Sequence, residues 1–176
     1  HRTSFAAAGT ENVPLEITQT DKGLAVYRWI YDNKPPPFYA PLIQFDGNCD
    51  RLQYYEAQYP STAINKSIFF PAGKGGPDSQ ADELTYMMIS YNFMTPIDAD
   101  NTRYHWLQHR NTEPNNEEVT LTISSGAKAA FLEDRDVLEA VHMGITNETT
   151  PHLDLGLDAA SLHFRRKLQK LIDQEK

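Results

Sequence analysis

The chain has 176 residues, with 24 acidic and 16 basic side chains and a formal net charge of −8. That acidity argues against a nucleic-acid backbone or an anionic membrane as its partner. Hydrophobic residues at 40% and charged residues at 23% are ordinary for a soluble globular protein, and the length suits one domain with its own core. No apolar run reaches the ~20 residues of a membrane span, and no basic-then-apolar leader precedes the first element, so the expected address is the cytoplasm. Cys49 is the only cysteine, which excludes an internal disulfide, a zinc ribbon and a cysteine-ligated iron–sulfur cluster within these residues. A start at His1 reads as an excised domain or a product whose front is missing.

Residues 1–12 form a small, polar lead-in. LEITQT and LAVYRWIY then read as two strands, with Asp21, Lys22 and Gly23 as the turn of a β-hairpin. Asn33 to Phe38 holds three consecutive prolines, which remove backbone donors and stop any regular element, leaving a loop that can line a pocket mouth. Asp50–Tyr59 and Ala63–Phe70 read as strands. The following PAGKGGPDSQAD is a long connection without the full Gly-x4-Gly-Lys-Ser/Thr phosphate cradle. Leu84–Met94 and Thr102–Arg110 read as two further strands, antiparallel because their link is short. A last amphipathic helix is expected over about residues 159–175, with Asp158 as N-cap and Ala160, Phe164, Leu168, Leu171 and Ile172 as its apolar stripe. Several strands followed by two helices predict an α+β fold with an antiparallel sheet and helices on one face. There are no internal repeats.

Between these last strands and the final helix, residues 115–144 carry the strongest pattern. At ~100° per residue they place Val119, Ile123, Ala127, Ala130, Phe131, Val137, Leu138 and Val141 on one helix face, with Asp134 in its middle. Glu133 lies at the edge of that stripe, while Asp136 and Glu139 point away. A carboxylate aimed into a core needs a cation, hydrogen bonds or a metal. Asp134 is therefore either neutralised by a buried arginine, or a cap on a neighbouring loop, or a metal ligand. The alternation of Val119 to Ser124 alone also fits a strand.

Other constellations carry less. His105 and His109 would suit a metal on a helix, but in a strand they stand ~13 Å apart. His142 lies near the edge of the long helix stripe, and His152 and His163 carry no pattern. No serine occupies a Gly-x-Ser-x-Gly elbow, and Cys49 has no base nearby in sequence. Asn65 and Asn92 sit in apolar strand runs, either facing solvent and cross-strand neighbours or serving as polar anchors in an apolar cavity.

FLEDRDVLEAV, followed by LGLDAASLHFRRKLQKLIDQE, resembles the end of Rieske-type non-haem iron oxygenases, in the vanillate O-demethylase group of oxygenase subunits. MTPIDADNTRYHWLQHR looks like that group's Thr-Pro turn and aromatic strand, and the likeness runs from about His1 to Glu175. It implies a helix-grip fold, a curved antiparallel sheet closed by the long helix over an apolar cavity, which overrules a strand at Val119–Ser124. It implies mononuclear iron(II) held by two histidines and a carboxylate. Asp134 matches the carboxylate, and the opening HRTSF looks like the second half of the His-x4-His motif, making His1 the second ligand. Such a face leaves open positions on iron for O2 chemistry. The first histidine, its acidic link to the cluster and the Rieske [2Fe-2S] domain would lie upstream.

By the same resemblance, Asn65 and Asn92 match substrate-binding cavity positions. The partners it implies are a small aromatic substrate, O2, a reductase or ferredoxin acting through the Rieske domain, and two further subunits of a homotrimer. The expected function is O-demethylation or hydroxylation of an aromatic compound by the intact subunit. The alternatives are a helix-grip module that binds an apolar ligand without chemistry, and a domain used only for assembly.

Overall fold

The computed structural model describes residue 5, residues 9–147 and residues 153–175. Six strands form one antiparallel sheet in chain order: β1 (Glu16–Thr20), β2 (Gly23–Asn33), β3 (Cys49–Gln58), β4 (Thr62–Pro71), β5 (Tyr86–Pro96) and β6 (Thr102–Arg110). Two helices follow, α1 (Glu117–Asn147) and α2 (Ala159–Gln174). The expected α+β order is present. So is the first hairpin, where Thr20 pairs with Gly23 across the two-residue turn Asp21-Lys22. Gly23 is required there, because a Cβ would run into the carbonyl of Ala57 on β3.

The chain divides into two compact units. One, within Glu113–Leu155, contains α1. The side chain of Asn116 accepts a hydrogen bond from the Val119 amide at 3.2 Å and so caps this helix, while Glu117 and Glu118 in the first turn suit its dipole. The expected apolar face is buried at Ile123 and Ala127 and half-buried at Val119, Ala130 and Phe131. From there on it changes character: Val137, Leu138 and Val141 are exposed, and so is Asp134. The inward-facing carboxylate that the helix periodicity predicts is thus not realised in this chain. A solvated carboxylate carries no desolvation cost, so burial gives no argument for a ligand at Asp134.

The other unit joins the sheet to α2, which packs on β2. Phe164 stacks on Tyr59 at 4.7 Å between ring centroids, and the Lys167 ammonium lies 5.9 Å from the same ring. Ala160, Phe164 and Leu168 are half-buried, whereas Leu171 and Ile172 are exposed, so the stripe predicted for α2 is covered only in its first half. Asp158 stands at the N-cap position without a side-chain capping bond, and its backbone carbonyl instead accepts from the Ser161 hydroxyl at 2.8 Å.

The carboxylate that is buried lies on a strand. Asp50 is 1% exposed, and its two oxygens accept from the Asp32 and Gly75 amides, each at 2.9 Å. It thereby holds the irregular end of β2, where Asp32 has a φ of 46°, and the β4–β5 connection, where a Cβ on Gly75 would strike Asp50 itself. Its neighbour Cys49 is equally buried, with Sγ donating to the Asn33 carbonyl at 3.2 Å. Burial pushes this thiol up to about 11 from 9.0. The folded state keeps a proton that the unfolded chain releases near pH 9. Stability contributed by Cys49 is therefore complete below pH 9 and falls by about 2–3 kcal/mol as pH climbs through 11. Thermal melts between pH 8 and 11 are expected to show this decline, with a shallower slope for Cys49→Ala. A slope unchanged by the substitution would contradict it.

Candidate functional site

Strand register assembles one face of the sheet from alternate residues. Its first cross-strand row is Arg51, Phe69 and Tyr86, and the second is Arg28, Gln53, Ser67, Met88 and Arg110. The third holds Tyr55, Asn65, Ser90 and Gln108, and the fourth Ala57, Ala63, Asn92 and Trp106. Side chains alternate across a strand, so these residues share a surface, with successive rows ~7 Å apart. Arg51, Gln53, Phe69, Tyr86, Met88, Ser90 and Asn92 on it are buried.

The polar groups of this face are unevenly satisfied. Asn92 donates to the Ala63 carbonyl at 3.2 Å and accepts from the Tyr104 hydroxyl at 2.7 Å. Arg28 donates to Gln53 at 2.6 Å and to the carbonyls of Thr10 and Val13. In contrast, Arg51 Nε, the Tyr86 hydroxyl, Ser90 Oγ and Gln108 Oε1 are buried without a hydrogen-bond partner among the described residues. An orphaned buried polar atom costs about 1–3 kcal/mol. Four on one face, spread over three strands, describe a surface suited to receiving polar groups from outside itself. Burial raises the Tyr86 phenol from its ordinary value, and also that of Tyr39 despite the opposing charge of Arg51. Both phenols therefore stay protonated at neutral pH.

Tyr39 reaches this face from the proline-rich loop. The Pro36 carbonyl accepts the Tyr39 and Ala40 amides at 2.9 and 3.0 Å, a turn that lays the Tyr39 ring 4.8 Å from Phe69. The Arg51 guanidinium carbon lies 5.0 Å from the centroid of each of these rings. The three prolines mark this loop as one that can line a pocket mouth, but no pattern singles out Arg51, Tyr86, Ser90 or Gln108. Their only signal is polar residues recurring at alternate positions of β3, β5 and β6.

Of the sequence-predicted site residues, Asn65 and Asn92 fall on this one face, in adjacent rows of β4 and β5. Asp134 lies on α1, in the other unit, and His1 lies outside the described residues. His105 and His109 are both on β6, His109 with its ring 5.5 Å from Tyr91. Among the described residues, no three His, Cys, Asp or Glu side chains gather as a metal site. Of the two iron ligands that the resemblance implies within this sequence, Asp134 alone falls among the described residues.

A family model described as the vanillate O-demethylase oxygenase C-terminal domain matches residues 1–174. The chain belongs to that family. It is 26% identical to a vanillate O-demethylase oxygenase subunit of Pseudomonas sp. (strain ATCC 19151), over all of this chain and 55% of the relative. It is also 26% identical to the iron-sulfur subunit TsaM1 of a toluene-4-sulfonate monooxygenase system of Comamonas testosteroni, over 98% of this chain and 50% of the relative. Among solved structures, dicamba monooxygenase bound to 3,6 dichlorosalicylic acid superposes with a TM-score of 0.84 at 19% identity, over 99% of this chain and 51% of that one. The dicamba-bound form gives 0.79 at 20% identity. The vanillate O-demethylase C-terminal fold is thus α+β of the helix-grip class, as the resemblance implied. The chain spans about half the length of the curated relatives it matches. Among its described residues no helix is long and apolar enough to cross a membrane.

Proposed function

We propose that this chain is the catalytic part of a Rieske-type aromatic oxygenase subunit, which demethylates or hydroxylates a small aromatic compound at the expense of O2. The observation that carries the proposal is the set of buried, unpartnered polar atoms on one aromatic sheet face, in a chain of this family. Phe69, Tyr86 and Tyr39 give this face an aromatic character that suits a flat ring, and the scattered donors and acceptors would fix its orientation. Asn65 and Asn92 serve as substrate-binding anchors. Asn65 is half-buried and Asn92 is held rigid by Ala63 and Tyr104, so its remaining amide hydrogen has one direction to point. The substrate class is read from the relatives' names, which cite vanillate and toluene-4-sulfonate, both rings bearing an anionic group.

Asp134 and His1 are assigned as two of the three iron(II) ligands, on the family's motif. Bound there, iron(II) supplies the oxygen activation that amino-acid side chains lack. In the same reading the remainder of the subunit carries a Rieske [2Fe-2S] cluster fed by a reductase or ferredoxin. The assembly is a homotrimer in the cytoplasm. The test is coupling. Given its electron donor and 4-methoxybenzoate, the intact subunit should consume O2 in step with formaldehyde release. Substrate binding without O2 consumption would refute the proposal.

A further inference from the structure

Arg51 is 3% exposed, yet no carboxylate among the described residues pairs with it. Its Nη1 donates to the Phe5 carbonyl at 3.0 Å and its Nη2 to Ser67 Oγ at 3.3 Å, while Nε has no partner. Two of the five N–H donors of the guanidinium are thus used, both on neutral oxygens. The nearest acid in sequence, Asp50, is committed to the Asp32 and Gly75 amides. Arg28 supplies the contrast, since its head is bonded to Gln53, Thr10 and Val13. A buried cation without a counter-ion is expensive, and the usual remedies are an anion or loss of the charge. A guanidinium does not take the second route.

The surroundings prepare it for an anion. The Tyr39 and Phe69 rings, each 5.0 Å from the guanidinium carbon, restrain its position and leave donors in its own plane free. Ser67 places the guanidinium over the second row of the face, one row, or about 7 Å, from Asn65 in the third. That spacing is close to the length of a benzoate from its carboxylate to a para substituent. Burial lowers the affinity of Arg51 for its proton, and an adjacent anion would act in the opposite sense.

We infer that Arg51 is the specificity-determining residue for the substrate's anionic group, holding a ring carboxylate or sulfonate through Nε–H and a free Nη–H in a two-pronged contact. The inference rests on the proposed aromatic-substrate reading and adds to it the group that tells charged rings from neutral ones. Calorimetry on the intact subunit tests it, with 4-methoxybenzoate and its uncharged analogue 4-methoxybenzamide as probes. Wild type is expected to bind the carboxylate at least about 30-fold more tightly than the amide, the scale of a buried charge-assisted contact. Arg51→Gln should erase that ratio by weakening the carboxylate alone. Arg51→Lys keeps the charge without the planar fork and should retain a smaller preference, which tests the assignment even where the glutamine variant folds poorly.

An Arg51→Gln ratio equal to wild type, or an equal loss for both probes, overturns the assignment and leaves the oxygenase reading standing. A wild type that binds neither probe overturns both.

Discussion

In the intact subunit, Asp134→Ala is expected to lose mononuclear iron while the Rieske cluster keeps its absorption spectrum. Removing even an outer-shell partner of a metal ligand costs about 10- to 100-fold in affinity or activity, so loss of the carboxylate itself should lower iron occupancy and turnover by at least about 100-fold. Asp134 is exposed in this chain, which makes the experiment decisive in a way the helix periodicity is not. A solvated acid on α1 with no iron to hold would be replaceable by alanine at little cost. Metal analysis of the purified variant, set beside its cluster absorbance, separates the two cases. Equal iron in wild type and variant would remove Asp134 from the ligand set.

The largest stability effect is expected at Asp50. Alanine there strands two part-buried backbone amides, those of Asp32 and Gly75. At about 1–3 kcal/mol for each unpaired donor, and nearer the lower figure for part-buried ones, the loss is roughly 2–4 kcal/mol. For a chain of this size that corresponds to a fall of about 10 °C in melting temperature. Asp50→Asn retains one acceptor oxygen and should fall about half as far. A melting temperature for Asp50→Ala within about 2 °C of wild type would show that the clamp contributes nothing.

These two acids mark the boundary of what the sequence makes legible. Turn chemistry and alternation locate every strand to within a few residues, because Asp21-Lys22-Gly23, the three prolines and the Pro71–Asp82 stretch interrupt them chemically. The long helix is legible from its period and its family likeness together. A helical wheel, however, assumes that one face is covered along its whole length. Here cover ends near Phe131, and Asp134, Val137 and Leu138 lie beyond it. Asp50 and Arg51 escape notice for a different reason. Nothing in DRLQYYEAQ tells that Asp50 meets amides at 32 and 75, or that Arg51 lies between rings at 39 and 69. Those meetings depend on strand register and on where the proline loop turns back. Asn65 and Asn92 could be singled out as polar positions in apolar strands, yet their placement on one face needed the β4–β5 pairing.

The most direct test follows the oxygen. The intact subunit, its electron donor and 4-methoxybenzoate are incubated under ¹⁸O₂, and O2 uptake, formaldehyde and label are measured together. Uptake that requires the aromatic acid and matches formaldehyde, with ¹⁸O in the products, is the result predicted. Tight binding of the acid with no uptake and no label would make this chain a ligand-binding module and contradict the catalytic account.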